Sequence, residues 1–253
     1  MQSHPKTPLE FLYLETGSLK INYIISTRRL VYLKTLMMRD DEELTKRILR
    51  EQEKNCTPGD FVELVREDFK QIGKEYDESF VMNTGLMEYK ATIKNLTREA
   101  AFKDLVDIQL RHSKVKDIKY ETFKCQPYLS SGMFSNEEVS ILASLRSHTL
   151  RTIRGNFKNF YQGNLSCPLK CWPEGSTPLN DTQEHLLVCS RLDVQPQTTL
   201  ACGAIKYDDI YGSPAEQKAV TSVVKQRMET RNQLLEQDKQ PTSGPSSTLD
   251  PST

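Results

Sequence analysis

The sequence has no surplus of either charge: 34 Lys and Arg residues balance 34 Asp and Glu residues over 253 positions. That excludes a global field drawing the chain onto nucleic acid, so any basic surface is local. No apolar run comes near the roughly 18 residues that a membrane span requires. The opening stretch, MQSHPKTPLEFLYLE, lacks a charged head followed by an apolar core, so it does not read as a secretory signal. Hairpin dipeptides between alternating apolar runs are missing, which leaves little evidence for strands. No tandem repeat is present. Six cysteines are too few for a disulfide framework in a chain this long. With no export signal, a reducing cytoplasmic or nuclear compartment is expected, and clustered cysteines read as metal ligands. The Asn95-Leu96-Thr97 and Asn180-Asp181-Thr182 sequons then carry no information.

What is present is helical periodicity. Hydrophobic residues at 37% can build a core, and charged residues at 27% leave its surface polar. From about Ser18 to Arg39, Ile21, Ile24, Ile25, Leu33, Leu36 and Met37 recur mainly at three- and four-residue steps. Asp40 and Asp41 open a second helix, EELTKRILREQEKN. Thr57-Pro58-Gly59-Asp60 starts a third, with Thr57 as its expected cap and Phe61, Leu64, Val65, Phe69 and Ile72 as its apolar stripe. A longer helix is expected over about Gly85–Ser113, where Thr97, Ala100 and Ala101 mark a break or a close crossing. Ser135 with Glu138 is a capping-box pattern, predicting a helix to about Ile153. Tyr120 to Tyr128 and Gly163 to Cys167 could be extended. A last helix should run from Ser213-Pro214 to about Gln237. The closing QPTSGPSSTLDPST has almost nothing apolar and is expected to be disordered.

One segment carries chemistry: CPLKCWPEGSTPLNDTQEHLLVC. Its spacing is Cys-x3-Cys, thirteen residues, then His-x3-Cys. Zinc takes four soft or borderline donors in a tetrahedron, and short paired spacings let each half fill two corners. Asp181 or Thr182 can cap a short helix on which His185 and Cys189, four apart, share a face. Leu186 and Leu187 would anchor it. Cys167, Cys171, His185 and Cys189 are therefore the expected ligands of one structural zinc ion. Cys56, Cys125 and Cys202 have no such partners nearby.

The stretches LYLETGSLKINYIISTRRLVYLKTLMMRD, HSKVKDIKYETFKCQPYL and CPLKCW…DTQEHLLVC together resemble the region after the reverse-transcriptase core of non-LTR retrotransposon polyproteins. The likeness runs from about Leu12 to about Leu235. It is strongest in the first thirty residues and from His112 to Cys189. The resemblance implies a helical extension closed by a CCHC knuckle that helps to hold template RNA or target DNA. The family's ligands fall on Cys167, Cys171, His185 and Cys189, and the polymerase portion of the same element is an implied partner.

The departures from that family bear on activity. Asp40-Asp41 and Asp208-Asp209 are the only Asp pairs, and neither has the apolar strand context of a polymerase palm. Helix capping and surface charge account for both. No endonuclease-like set of Asp, Glu, His and Lys is apparent. Ser147 and His148 are adjacent, but neighbours on a helix point to different faces. The chain thus reads as a C-terminal piece of such an element, without polymerase activity of its own.

Local basic clusters remain. Arg146, Arg151, Arg154 and Lys158 precede the Cys/His segment, followed by Phe157, Phe160 and Tyr161. Trp172 lies within it, and aromatic rings can stack bases. A second cluster is Arg111, His112, Lys114, Lys116, Lys119 and Lys124, and a weaker one is Arg28, Arg29 and Lys34. Each reads equally as a solvated helix face, with Phe157 and Phe160 in a core.

The resulting expectation is a mostly α protein: a bundle-like helical array, a small CCHC zinc knuckle, a C-terminal helix and a disordered tail. Its boundaries would be 1–17 for an N-terminal segment, 18–160 for the helical domain and 161–192 for the knuckle. A loop and helix would fill 193–237, and the tail 238–253. Two functions compete, with no membrane involved in either. One is a non-catalytic RNA- or DNA-binding remnant. The other is a helical protein-interaction module or inert remnant that binds no nucleic acid.

Overall fold

The computed structural model describes residues 8–113, 115–150, 166–192 and 206–237. The expected tail, the Pro196–Gly203 loop, Cys202, Lys114, and Arg151 through Tyr161 lie outside them. The described residues are mostly helical, and the sole β pairing among them is a single antiparallel bridge. No described helix is long and apolar enough to cross a membrane.

The contacts divide the chain into two units, one spanning Pro8–Gln126 and the other lying from Pro127 onward. The division falls inside the helical domain expected over 18–160. The reason lies in the cores: the apolar side of the helix after Ser135 packs with residues of the Cys/His segment and the C-terminal helix.

The first unit holds α1 (Leu9–Thr16), α2 (Ile21–Met37), α3 (Leu44–Lys54), α4 (Phe61–Gln71), α5 (Glu78–Asn83) and α6 (Leu86–Gln109). α2 is its spine. Tyr23, Ser26, Leu30, Leu33 and Met37, at three- and four-residue steps, form its buried stripe. They meet Val65 and Phe69 of α4, Leu49 of α3, and Tyr89 and Ile93 of α6. α6 runs unbroken, so Thr97 marks a close crossing: the Thr27 hydroxyl donates to Thr97 Oγ1 at 3.1 Å, and Thr97 bonds Ile93 O within its own helix. Within the N-terminal segment expected over 1–17, positions 9–16 form a helix whose Phe11 and Leu14 are buried.

Buried polar groups of this unit are matched. Asp68 accepts from Ser26 at 2.7 Å and from Arg29 at 3.0 Å; burial still holds its carboxyl above the ordinary value. Lys34 Nζ, fully enclosed, donates to the carbonyls of Val81 and Met82, which satisfies the end of α5. Two members of the weaker basic strip, Arg29 and Lys34, are thus consumed by internal bonds, while Arg28 stays exposed. Asp60, not Thr57, caps α4 by accepting from Glu63 N, because Gly59 at φ +85° turns the chain first. Asp41 pairs with Lys46 at 2.7 Å.

The stretch expected to be extended over Tyr120–Tyr128 instead bends at 121–124 and turns helical at Pro127, and its residues 120–126 lie against α1 and α6. Arg98 donates to Phe123 O, and Gln126 N donates to Glu15 O at 2.8 Å. The α1–α2 turn sits beneath them. Gly17 adopts φ +62°, and a Cβ there would stand 2.6 Å from the Lys124 carbonyl carbon and 2.7 Å from Cys125 N. Gly73 has a similar φ, +72°, with nothing nearby. Gly73→Ala should therefore cost only the left-handed backbone penalty of about 1–2 kcal/mol. Gly17→Ala should cost clearly more, because backbone must move. Urea unfolding followed by circular dichroism checks this, and equal losses would refute the close packing.

Candidate metal centre

The second unit is built from α7 (Pro127–Ser130), α8 (Asn136–Arg146), α9 (Gln183–Val188) and α10 (Pro214–Gln237), with short 3₁₀ turns at Ser190–Leu192 and Tyr207–Tyr211. α8 opens on the expected capping box, Ser135 with Glu138. It stops at Arg146 rather than near Ile153, because His148 takes a left-handed φ of +49° and Thr149 N turns back to Ser144 O. Asp208 and Asp209 lie in the second 3₁₀ turn, where Asp209 accepts from Lys206 N.

Cys167 and Cys171 flank a tight turn. Lys170 N donates to Cys167 O at 3.1 Å, and Lys170 itself is left-handed at φ +49°. Ser166 pairs with Asn180 in the lone bridge, and Cys167 N donates to Leu179 O at 2.7 Å. This pairing brings the start of α9 beside the cysteine turn. Thr182 caps α9 by accepting from His185 N at 3.0 Å, which fixes His185 in the first turn. Cys189 follows immediately after the helix, and the buried Leu186 anchors its inner face.

The four side chains converge. Their ligand atoms, three Sγ and the His185 Nε2, all lie within 4.8 Å of one another. Cys167 Sγ and Cys189 Sγ are 3.9 Å apart, and Cys171 Sγ is 3.2 Å from His185 Nε2. A disulfide needs about 2.05 Å, so these thiols are not bridged. The edge of a tetrahedron with metal–sulfur bonds of about 2.3 Å is about 3.8 Å, and the cluster has that size. Cys167, Cys171, His185 and Cys189 therefore form a site that could bind a metal ion.

The electrostatics suit a cation. Burial, reinforced by the neighbouring Cys189 and Cys171, pushes the Cys167 thiol up to about 12. Burial also raises Cys171. A bound cation reverses that preference by stabilising the thiolates. Burial lowers His185, which keeps its imidazole neutral with a lone pair to give, and Asp181 and Arg231 act on it in opposite senses.

The surrounding bonds extend beyond the ligand segment. Gln183, buried, accepts from Leu150 N at 3.0 Å and donates to Leu145 O, joining α9 to the end of α8. Asp181, an alternative cap by sequence, instead pairs with Arg231 of α10 at 2.6 Å, both side chains nearly enclosed. Arg227, one turn earlier on α10, donates to Leu186 O at 3.1 Å and Cys189 O at 3.4 Å. Sequence reasoning missed Gln183, Arg227 and Arg231. Arg231 did leave a signal: it occupies an apolar position of the stripe Val220, Val224, Met228, Leu235.

The basic candidates fare unevenly. Arg146 is not on the surface: its guanidinium is buried, donates to Ile210 O at 3.1 Å, and lies over the rings of Tyr128 and Tyr211. Trp172 is half-buried and packs against the core of this unit. Lys116 is exposed in the first unit, as are Arg111, Lys119 and Lys124. Arg151, Arg154, Lys158 and Lys114 lie outside the described residues. His112 stands 3.5 Å from Glu10, and the Ser147 hydroxyl donates to Ala143 O.

Comparison with known protein families, with curated proteins and with solved structures finds no match to this chain.

If Gln183 joins the two helices as described, Gln183→Ala leaves the buried Leu150 N–H without its acceptor. The expected cost is about 1–3 kcal/mol, read as faster amide exchange in both α8 and α9. Unchanged exchange in α8 would refute the link.

Proposed function

We propose that this chain is a non-catalytic nucleic-acid-binding module held by one structural zinc ion, corresponding to the post-polymerase part of a retroelement polyprotein. The observation that carries the reading is the closed Cys3His set of Cys167, Cys171, His185 and Cys189. Three sulfurs and one imidazole nitrogen at tetrahedral spacing favour zinc over harder, oxygen-seeking cations. Zinc there would cross-link the cysteine turn to α9. Four protein donors leave no coordination position for a water or substrate, so the role is structural.

Support for nucleic acid comes from the exposed basic segment after α6. From Arg111 to Lys124 it carries five Lys and Arg residues against Asp117 and Glu121. Arg111, Lys116, Lys119 and Lys124 are exposed and make no ion pair among the described residues. Cations free of internal partners are available for phosphate. Arg151, Arg154 and Lys158 are kept in the proposal from sequence, and Trp172 as a stacking ring of partial exposure. The polymerase portion of the same element remains the expected protein partner. The competing reading, a protein-interaction helical module, draws on α2, where Ile21, Ile25 and Tyr32 are exposed on one face.

Two measurements test the proposal. Metal analysis of purified protein should find about one zinc per chain, lost in the Cys167→Ser, Cys189→Ser double variant. Zinc retained by that variant would refute the ligand set. Single-stranded RNA should bind with an affinity that falls steeply between about 50 and 200 mM salt. Replacing Arg151, Arg154 and Lys158 by Ala should weaken it severalfold, and Lys116→Ala, Lys119→Ala should do the same. Binding unaltered by both sets would remove the surface, and no binding at low salt would favour the protein-interaction reading.

A further inference from the structure

The metal cluster has neighbours that do not touch the ligand atoms, and two arginines from outside the Cys/His segment hydrogen-bond to the stretch that carries His185 and Cys189. α10 supplies both. Arg231 reaches Asp181, the residue before the cap of α9, with 2.6 Å between Nη2 and Oδ2. Arg231 and Asp181 are 8% and 2% exposed, so the pair is shielded from water and salt. Arg227, four residues earlier and on the same face, donates to the carbonyls of Leu186 and Cys189. The Leu186 carbonyl is one that a helix end otherwise leaves unsatisfied, and Cys189 O also accepts from Leu192 N at 3.0 Å. The ligand-bearing stretch 181–189 is thus held at its beginning by one arginine and at its end by the other. The packing agrees: Val220 and Val224 of α10 share a core with Leu186, Cys167 and Cys189.

We infer that α10 is a working part of the metal centre, with Arg227 and Arg231 as positioning residues that set the separation of His185 and Cys189 from the cysteine turn. The inference rests on the reading of the cluster as a metal site. Its physical content is a coupling. Ordering of 181–189 by a metal and docking of α10 stabilise the same arrangement, so each favours the other by the same factor. The Cys/His segment is then not a self-sufficient knuckle. Cut free of α10, it would bind metal weakly, because neither Asp181 at the start of the ligand-bearing stretch nor the Leu186 carbonyl near its end would be held in place. Metal in turn would hold the C-terminal helix down, and its removal would release it.

The experiment is a cobalt titration of the full chain, read by the absorption of tetrahedral cobalt–thiolate. The wild-type protein should give that spectrum, reversed by added zinc. Arg227→Ala and Arg231→Ala should each weaken cobalt binding about 10–100-fold, the usual effect of removing groups that orient metal ligands. Arg231→Lys, which keeps the charge, should recover part of the loss. A reciprocal measurement needs no variant: amide exchange of residues 214–237 in wild-type protein should be slower with zinc than with chelator. Absence of any cobalt–thiolate spectrum in wild type would overturn the metal site itself, and this inference with it. A normal spectrum with wild-type affinity in both alanine variants would overturn the inference alone. So would α10 exchange that does not respond to zinc.

Discussion

Three sulfur atoms and an imidazole nitrogen gathered within 4.8 Å is an arrangement a protein interior does not favour unaided. Ionised thiols that close repel one another, and burial drives them toward the neutral form. The local backbone nevertheless holds the group together by specific means. Lys170 accepts a left-handed conformation so that the cysteine turn can close. The Ser166–Asn180 bridge sets that turn beside α9, and Thr182 fixes where α9 begins. Each device constrains a different coordinate of the same four atoms. The second unit is organised around satisfying that convergence.

The first unit shows a different economy. Its core is apolar and tightly shared among α2, α4 and α6, and its buried charges are placed at helix ends and crossings. Lys34 caps α5 from inside the core, and the Ser26–Asp68–Arg29 group fastens α2 to α4. Such bonds fix register more than they stabilise, since a buried polar group costs free energy unless its partner is in place. Basic residues that look alike along the chain are therefore divided by packing. Arg29, Lys34 and Arg146 serve the interior. Arg28, Arg111, Lys116 and Lys119 face solvent.

That division explains what could be read in the sequence. Periodicity located α2 and α6 to within a few residues, because long apolar stripes repeat their signal over several turns, and the Ser213-Pro214 start placed α10. The capping box of α8 is local chemistry and was legible too. The Cys/His quartet was legible because paired short spacings are rare by chance. The failures have the opposite character. The stop of α8 depends on one histidine taking a left-handed φ, which no propensity marks strongly. The cap of α4 moved from Thr57 to Asp60 because of a glycine turn. Arg146 and Arg231 look like surface charges until tertiary partners are known: a carbonyl and two tyrosine rings for one, Asp181 for the other. The extent of the units was hidden for the same reason, since it is set by which faces meet.

Trp172 has an implication of its own. It is the single tryptophan of the chain, and it packs half-buried against the core of the second unit. Its fluorescence therefore watches the second unit. An emission spectrum that shifts on unfolding reports the surroundings of the cysteine turn. No other fluorophore of the chain is so local. Its tyrosines are spread over both units, so far-ultraviolet and tyrosine signals average what the indole resolves.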